Sequence, residues 1–280
     1  MVMDQDAYVS TVQKQLESER HMLPLFNPAV LLVQQELLKK DPNLQTIEQL
    51  ISEDPSLSSN LLKIANSSMY RGLFPTTTVR SALIRLGMSE VFRVVLTDIG
   101  DRSFGSDDRQ LDGIMKKLWQ HSRGCAFAAG MLALAIDCGV AQHDAFSAGL
   151  LHDIGKLPIL QVIARKKRKQ PKQDVDETLL IEVMDRLHAE QGYRMLQEIR
   201  VPNVIALTAR DHHLPDCDPG APLLLLVRMA NRICHRIGIG LRRDPSIDLL
   251  TTPEAILLGL TQPELDKVLD FLTTATELAS

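Results

Sequence analysis

Aromatic residues are scarce in this 280-residue chain: Phe, Trp and Tyr make up 4% of it, and Trp119 is the single tryptophan. Strands of β-sandwiches lean on aromatic and β-branched residues, so this shortage, beside abundant Leu and Ala, argues for packed helices. Basic charge is not in excess either: 31 Lys and Arg against 35 Asp and Glu leave a net charge of −4, so general nucleic-acid affinity is not expected. No window reaches the ~18 uncharged apolar residues a membrane span requires. The opening segment MVMDQDAYVSTVQKQLESER has no apolar core of a signal peptide, so a cytoplasmic protein without membrane contact is expected. The four cysteines, Cys125, Cys138, Cys217 and Cys234, form no Cys-x-x-Cys pair, which argues against a zinc ribbon and for buried reduced thiols. With 45% hydrophobic and 24% charged residues, the chain has the proportions of one large globular domain or two small ones.

Helix signals are frequent. Asp54-Pro55 offers an N-cap acceptor and a proline at the first helical position, ahead of Leu57, Leu61, Leu62 and Ile64. Thr46 to Gln49 and Thr261 to Glu264 fit the capping-box pattern, and Ser89 can cap the run carrying Val91, Val94, Val95 and Ile99. Strict apolar/polar alternation is hard to find, so the expected fold is all-α. The stretch from Ser103 to Gly113, rich in Gly, Ser and Asp, reads as the best internal boundary. A second loop is expected over Ala164 to Asp174; its basic run, Arg165 to Lys169, reads as a solvated loop or as a patch for phosphate or an acidic partner. In the tail, Leu265, Val268, Leu269 and Leu272 form a stripe that can dock onto the body or onto a second copy, the latter giving a homodimer.

The chemistry is concentrated in the histidines. His121 shares a helical face with Leu118, Cys125, Ala128 and Leu132; His188 shares one with Met184, Leu187, Gln191 and Met195. His152-Asp153 ends a buried helix just before Gly155 and Lys156, and His212-His213 closes a helix that begins near Pro202. A single histidine on an apolar stripe is ordinarily a hydrogen-bonded core residue, whereas several inward imidazoles plus one carboxylate on successive helices are how helical bundles build metal sites. That donor set suits Fe, Mn, Co, Ni or Zn rather than Ca. His21, His143 and His235 stand outside any such constellation.

The order His121, His152-Asp153, His188 and His212-His213, with the HDIGK string of His152 to Lys156, resembles the HD superfamily of metal-dependent phosphohydrolases and its HD-GYP branch. The first half narrows the likeness. Leu23-Pro24, Asp54-Pro55-Ser56-Leu57, Leu61-Leu62, Ala65-Asn66-Ser67, Ala82 and Leu86-Gly87 resemble HDOD domains, the HD-related output domains of bacterial signalling proteins. Leu118 to Ser122 and Ala145 to Asp153 continue in that register, so the resemblance runs from about Leu23 to Arg236. It implies an N-terminal helical lobe on an HD-like bundle, divided as 1–22 extension, 23–110 lobe, 111–240 bundle and 241–280 helical tail.

Departures from the enzymatic pattern accompany the likeness. Asn231 stands where HD phosphohydrolases have their last aspartate ligand, the GYP string is replaced by Leu214 to Pro219, and no glutamate stands one or two turns before His121, where Ile114 and Met115 lie. The resemblance therefore implies a regulatory module of signal transduction, acting on a signalling partner or small ligand, with a partly degenerate site of His121, His152, Asp153, His188, His212, His213 and Asn231 for Fe, Mn, Ni or Zn. The alternative is a metal-dependent phosphohydrolase of a nucleotide or cyclic dinucleotide, in which Asp153 and Lys156 serve catalysis.

Overall fold

The computed structural model describes residues 5–18, 33, 36–37, 41–103, 105–169 and 175–277, and every regular element among them is helical. His21 and Leu23-Pro24 lie outside the described residues. The chain forms two compact units, one of residues 24–103 and 199–201, the other of residues 1–23, 104–198 and 202–280.

The first unit contains α2 (Leu44–Ser52), α3 (Pro55–Ala65) and α4 (Val79–Ser103). Asp54 caps α3 as its sequence predicts, accepting from the amides of Ser56 and Leu57 with Pro55 in the first turn. The start of α2 differs from expectation. Asn43, not Thr46, is its N-cap and accepts from the amides of Gln45 and Thr46, so Thr46 lies inside the first turn. Within α4, Gly87 takes φ 74° and ψ 162°, breaking the helix two residues before Ser89, where the sequence suggests a cap. Ile47, Ile51, Leu57, Leu61, Leu83, Val91 and Val95 fill the interior. Asn66 cross-links the chain after α3: its Nδ2 donates to the carbonyls of Leu62 and Thr76, and its Oδ1 accepts from the Thr76 amide.

The second unit contains α1 (Gln5–Ser18), α5 (Arg109–Ala135), α6 (Gln142–Leu151), α7 (Lys156–Lys169), α8 (Glu177–Glu198), α9 (Asn203–Asp211), α10 (Pro222–Ile237), α11 (Pro253–Leu258) and α12 (Gln262–Glu277). Asp108 caps α5, so Gly113 belongs to the helix rather than to the boundary loop. The basic run is not a loop: Arg165 to Lys169 form the last turns of α7, where helix-forming cations complement the negative end of the helix dipole. Lys167 pairs with Asp108 at 2.7 Å, and Lys166 lies over the Tyr8 ring of α1. Residues 170–174 lie outside the described set.

The tail docks on its own chain. Leu265, Val268 and Leu272 of α12 are buried, and Phe271 meets Phe127 of α5 with ring centroids 5.6 Å apart. At its start the Glu264 side chain reaches back as predicted, accepting from the Thr261 amide at 2.8 Å and from the Thr261 hydroxyl at 2.7 Å. Among the described residues no helix is long and apolar enough to cross a membrane.

Candidate metal centre

Five chain segments converge in the second unit. His121 comes from the middle of α5, His152-Asp153 from the turn between α6 and α7, His188 from α8, His212-His213 from the end of α9, and Asn231 from α10. The turn carrying His152 and Asp153 lies almost on the backbone of α8. A Cβ at Gly155 would stand 2.0 Å from the His188 carbonyl oxygen, so only glycine allows that approach. At the end of α10, Gly238 adopts a left-handed φ of 80° and closes the helix. The turn brings the Ile239 carbonyl to His121 Nδ1, at 3.0 Å.

The same device recurs at each buried imidazole. Nδ1 of His152 meets the Gly149 carbonyl at 2.7 Å, that of His188 the Met184 carbonyl at 2.7 Å, and that of His212 the Ala209 carbonyl at 2.8 Å. A carbonyl can only accept, so each Nδ1 carries the proton and each Nε2 is left with a lone pair. Those four Nε2 atoms surround Asp153. His188 and His212 stand 3.3 and 3.6 Å from Oδ1, while His152 and His121 stand 3.5 and 3.7 Å from Oδ2. Among the described residues the one ammonium in contact is Lys156, whose Nζ donates to Oδ2 at 2.5 Å.

Burial opposes protonation of His121, His152 and His188. Burial pushes the His121 and His152 imidazoles down, against the pull of Asp153. It carries His188 to about 4. Burial alone would raise Asp153, but the Lys156 ammonium beside it holds it well below the usual carboxylate range. Neutral imidazoles with protonated Nδ1 have no hydrogen for their inner nitrogens to share. Yet His188 Nε2 and His212 Nε2 are 3.3 Å apart, and His152 Nε2, Asp153 Oδ1 and Asn231 Oδ1 are buried with no hydrogen-bond partner. Lone pairs gathered without donors fit a cation. Histidine ligands of metals ordinarily donate their outer N–H to a carbonyl in this way.

Asp153, His188, His212 and His213 present donor atoms within 4.8 Å of one another, and so do His121, Cys125 and His152. An open pocket of about 450 Å³, its solvent-filled mouth included, leads to the cluster past Lys156, His213 and Asn231. His213 is exposed at this pocket, and Asn231 is nearly buried in its wall. His235, which the sequence leaves without a constellation, belongs here. Its ring stacks on His121 with centroids 5.2 Å apart, and burial beside His121 brings it down to about 4. Asp185 and Arg242, ion-paired to each other, also line the pocket. Helical spacing points to two of these: His235 is four residues past Asn231, and Asp185 three before His188.

With this geometry in hand, the relatives are informative. The HDOD domain profile matches residues 23–215. The chain belongs to the HDOD family. A curated relative from Treponema pallidum (strain Nichols), an uncharacterized protein, is 26% identical over 216 residues, covering 75% of this chain and 41% of the relative. The chain thus spans less than half of that relative's length. Among solved structures, an HDOD domain protein of unknown function from Geobacter sulfurreducens superposes with a TM-score of 0.67 at 20% identity, over 98% of this chain and 96% of its own. A Shewanella amazonensis SB2B protein, named as a candidate metal-dependent phosphohydrolase, gives 0.67 at 18% identity, over 96% and 99%. A Marinobacter aquaeolei VT8 protein, named as a candidate signal-transduction protein, gives 0.69 at 20% identity, over 96% of this HDOD chain and 64% of its own. At these identities the solved structures establish the shared helical fold.

Proposed function

We propose that this HDOD protein is a regulatory module of signal transduction whose pocket holds a divalent metal of the Fe, Mn, Ni or Zn type, and that it acts through a signalling partner or small ligand rather than by efficient turnover. The observation that carries the reading is the ring of four Nε2 atoms around Asp153, with His152 Nε2 buried and without a hydrogen-bond partner. Asp153 is the single carboxylate among the sequence-chosen residues, and Asn231 adds an amide oxygen without charge. Asp185 is engaged by Arg242. One carboxylate offsets a cation's charge poorly, which favours retention of a metal for structure or signalling over rapid hydrolysis.

The intact imidazole set and Lys156 favour a second reading, hydrolysis of a phosphate ester such as a nucleotide or cyclic dinucleotide. A bound metal supplies Lewis-acid polarisation and a water of lowered pKa. In that reading Asp153 and the imidazoles orient the centre, while Lys156, 14% exposed at the pocket, neutralises charge on the phosphate. The test is metal analysis of protein purified without added metal, then phosphodiester hydrolysis with Mn, Fe or Ni. The module reading expects bound metal with little turnover. Rapid turnover that Asp153→Ala abolishes overturns it in favour of the enzyme, and failure to take up any metal overturns the metal pocket itself.

A further inference from the structure

Cys125 lies one helical turn past His121 on α5, so its sulfur shares the imidazole's inward face. Its Sγ stands 3.5 Å from His121 Nε2, and Cys125 is wholly buried. We propose that His121, His152 and Cys125 form a thiolate-bearing metal position of their own, joined through Asp153 to the position at His188 and His212. This rests on the metal-binding reading of the pocket.

Three observations carry it. The donor atoms of His121, His152 and Cys125 lie within 4.8 Å of one another, and all three residues are buried. The His121–Cys125 edge suits a tetrahedral ion: with Zn–N about 2.05 Å and Zn–S about 2.3 Å, the N···S edge is about 3.6 Å and the N···N edge about 3.3 Å. The His121–Cys125 separation of 3.5 Å approaches the first edge, and the His188–His212 separation of 3.3 Å matches the second on the other side of Asp153. The carboxylate is also divided between the two groups, with Oδ2 toward His121 and His152 and Oδ1 toward His188 and His212.

The plainer account makes Cys125 a neutral donor, S–H to His121 Nε2. That satisfies His121 but leaves His152 Nε2, fully buried, with nothing to bind. A cation shared by the three donors accounts for both rings. On binding, the S–H bond breaks, its proton leaves to solvent, and Sγ bonds the metal as thiolate, since a coordinating thiol is deprotonated outright. The thiolate adds a second negative charge beside Asp153. Being soft, it selects Zn or Fe over Mg or Ca. Lys156, which holds Oδ2 in the metal-free protein, must yield that oxygen to the ion.

The full chain, stripped with chelator, is titrated with Co²⁺ and read by absorption. The expected result is a near-ultraviolet thiolate-to-cobalt charge-transfer band that survives in Cys234→Ser, disappears in Cys125→Ser, and is displaced by Zn²⁺. X-ray absorption of zinc-loaded wild-type protein, which needs no variant, should show one sulfur in the shell. Cobalt bound with the same spectrum in Cys125→Ser, or a zinc shell of nitrogen and oxygen alone, overturns the thiolate while leaving the metal pocket intact. Wild-type protein that binds neither cobalt nor zinc overturns both.

Discussion

Glu254 and Asp153 are both buried carboxylates of the same helical unit, and their surroundings differ in kind. Glu254, at the start of α11, faces two guanidinium groups: Arg228 Nε and Arg232 Nη2 donate to Oε1 at 2.8 and 3.2 Å, and Arg232 Nε ion-pairs with Oε2 at 2.9 Å, although Oε2, like Asp153 Oδ1, is buried without a hydrogen bond. Arg228 also donates to the Leu214 and Asp216 carbonyls at 2.6 and 2.8 Å, tying down the loop that follows His213. Asp153 has one ammonium and a ring of lone pairs. In a low-dielectric interior, polar groups supplied with partners stabilise one conformation, whereas groups lacking donors await a ligand. The first cluster is built for structure. The second has the donor set of the proposed metal pocket.

The largest effect should come from breaking the arginine cluster. Glu254→Gln leaves a buried guanidinium without its counter-charge, and breaking buried pairs costs about 3–5 kcal/mol, with the lower end expected here because Arg232 is partly exposed. Chemical denaturation of metal-free protein checks this, and a loss near zero would remove the contrast. The same pair of proteins gives a pH test. Burial alone would raise Glu254, but its own amide and the two arginines hold it below 4.5. Its contribution is therefore fully present above pH 4.5 and fades as pH falls through the lower folded value. The wild-type advantage over Glu254→Gln should be level above pH 4.5 and narrow below it; a gap that persists unchanged in acid contradicts the assignment.

A smaller effect is expected at the Asp153 cluster. Gly155→Ala forces the His152-Asp153 turn away from α8, since the new Cβ would meet the His188 carbonyl. Overpacking of this kind costs about 1–3 kcal/mol. The variant should lose metal uptake as well, while keeping the Glu254 cluster. A variant as stable as wild type that still loads metal would show that the close approach is not needed.

Much of this was legible along the chain, for identifiable reasons. Asp54, Pro55 and Thr261 act through their immediate neighbours, and the helices they start are present. The inward faces of α5 and α8 follow from helical spacing, and both His121 and His188 are buried. Thr46 misled because Asn43, three residues earlier, offers the better-placed acceptor. The basic run misled because its charge suggests solvent, although its residues are sound helix formers. A step of one turn from Asn231 leads to His235, and one from His188 leads to Asp185. Arg242 has no such signal, since it reaches the pocket only after the chain reverses at Gly238. Nor could the proton positions be read, because they depend on carbonyls that the fold brings to each Nδ1.

The central claim is that the four imidazoles around Asp153 turn bare Nε2 atoms inward, and ¹⁵N NMR of the histidine side chains in metal-free protein near neutral pH tests it most directly. His121, His152, His188 and His212 should each show protonated Nδ1 and unprotonated Nε2, with the Nε2 signals moving on addition of Zn²⁺. Protonated Nε2 on these rings, or signals that ignore the metal, would contradict it.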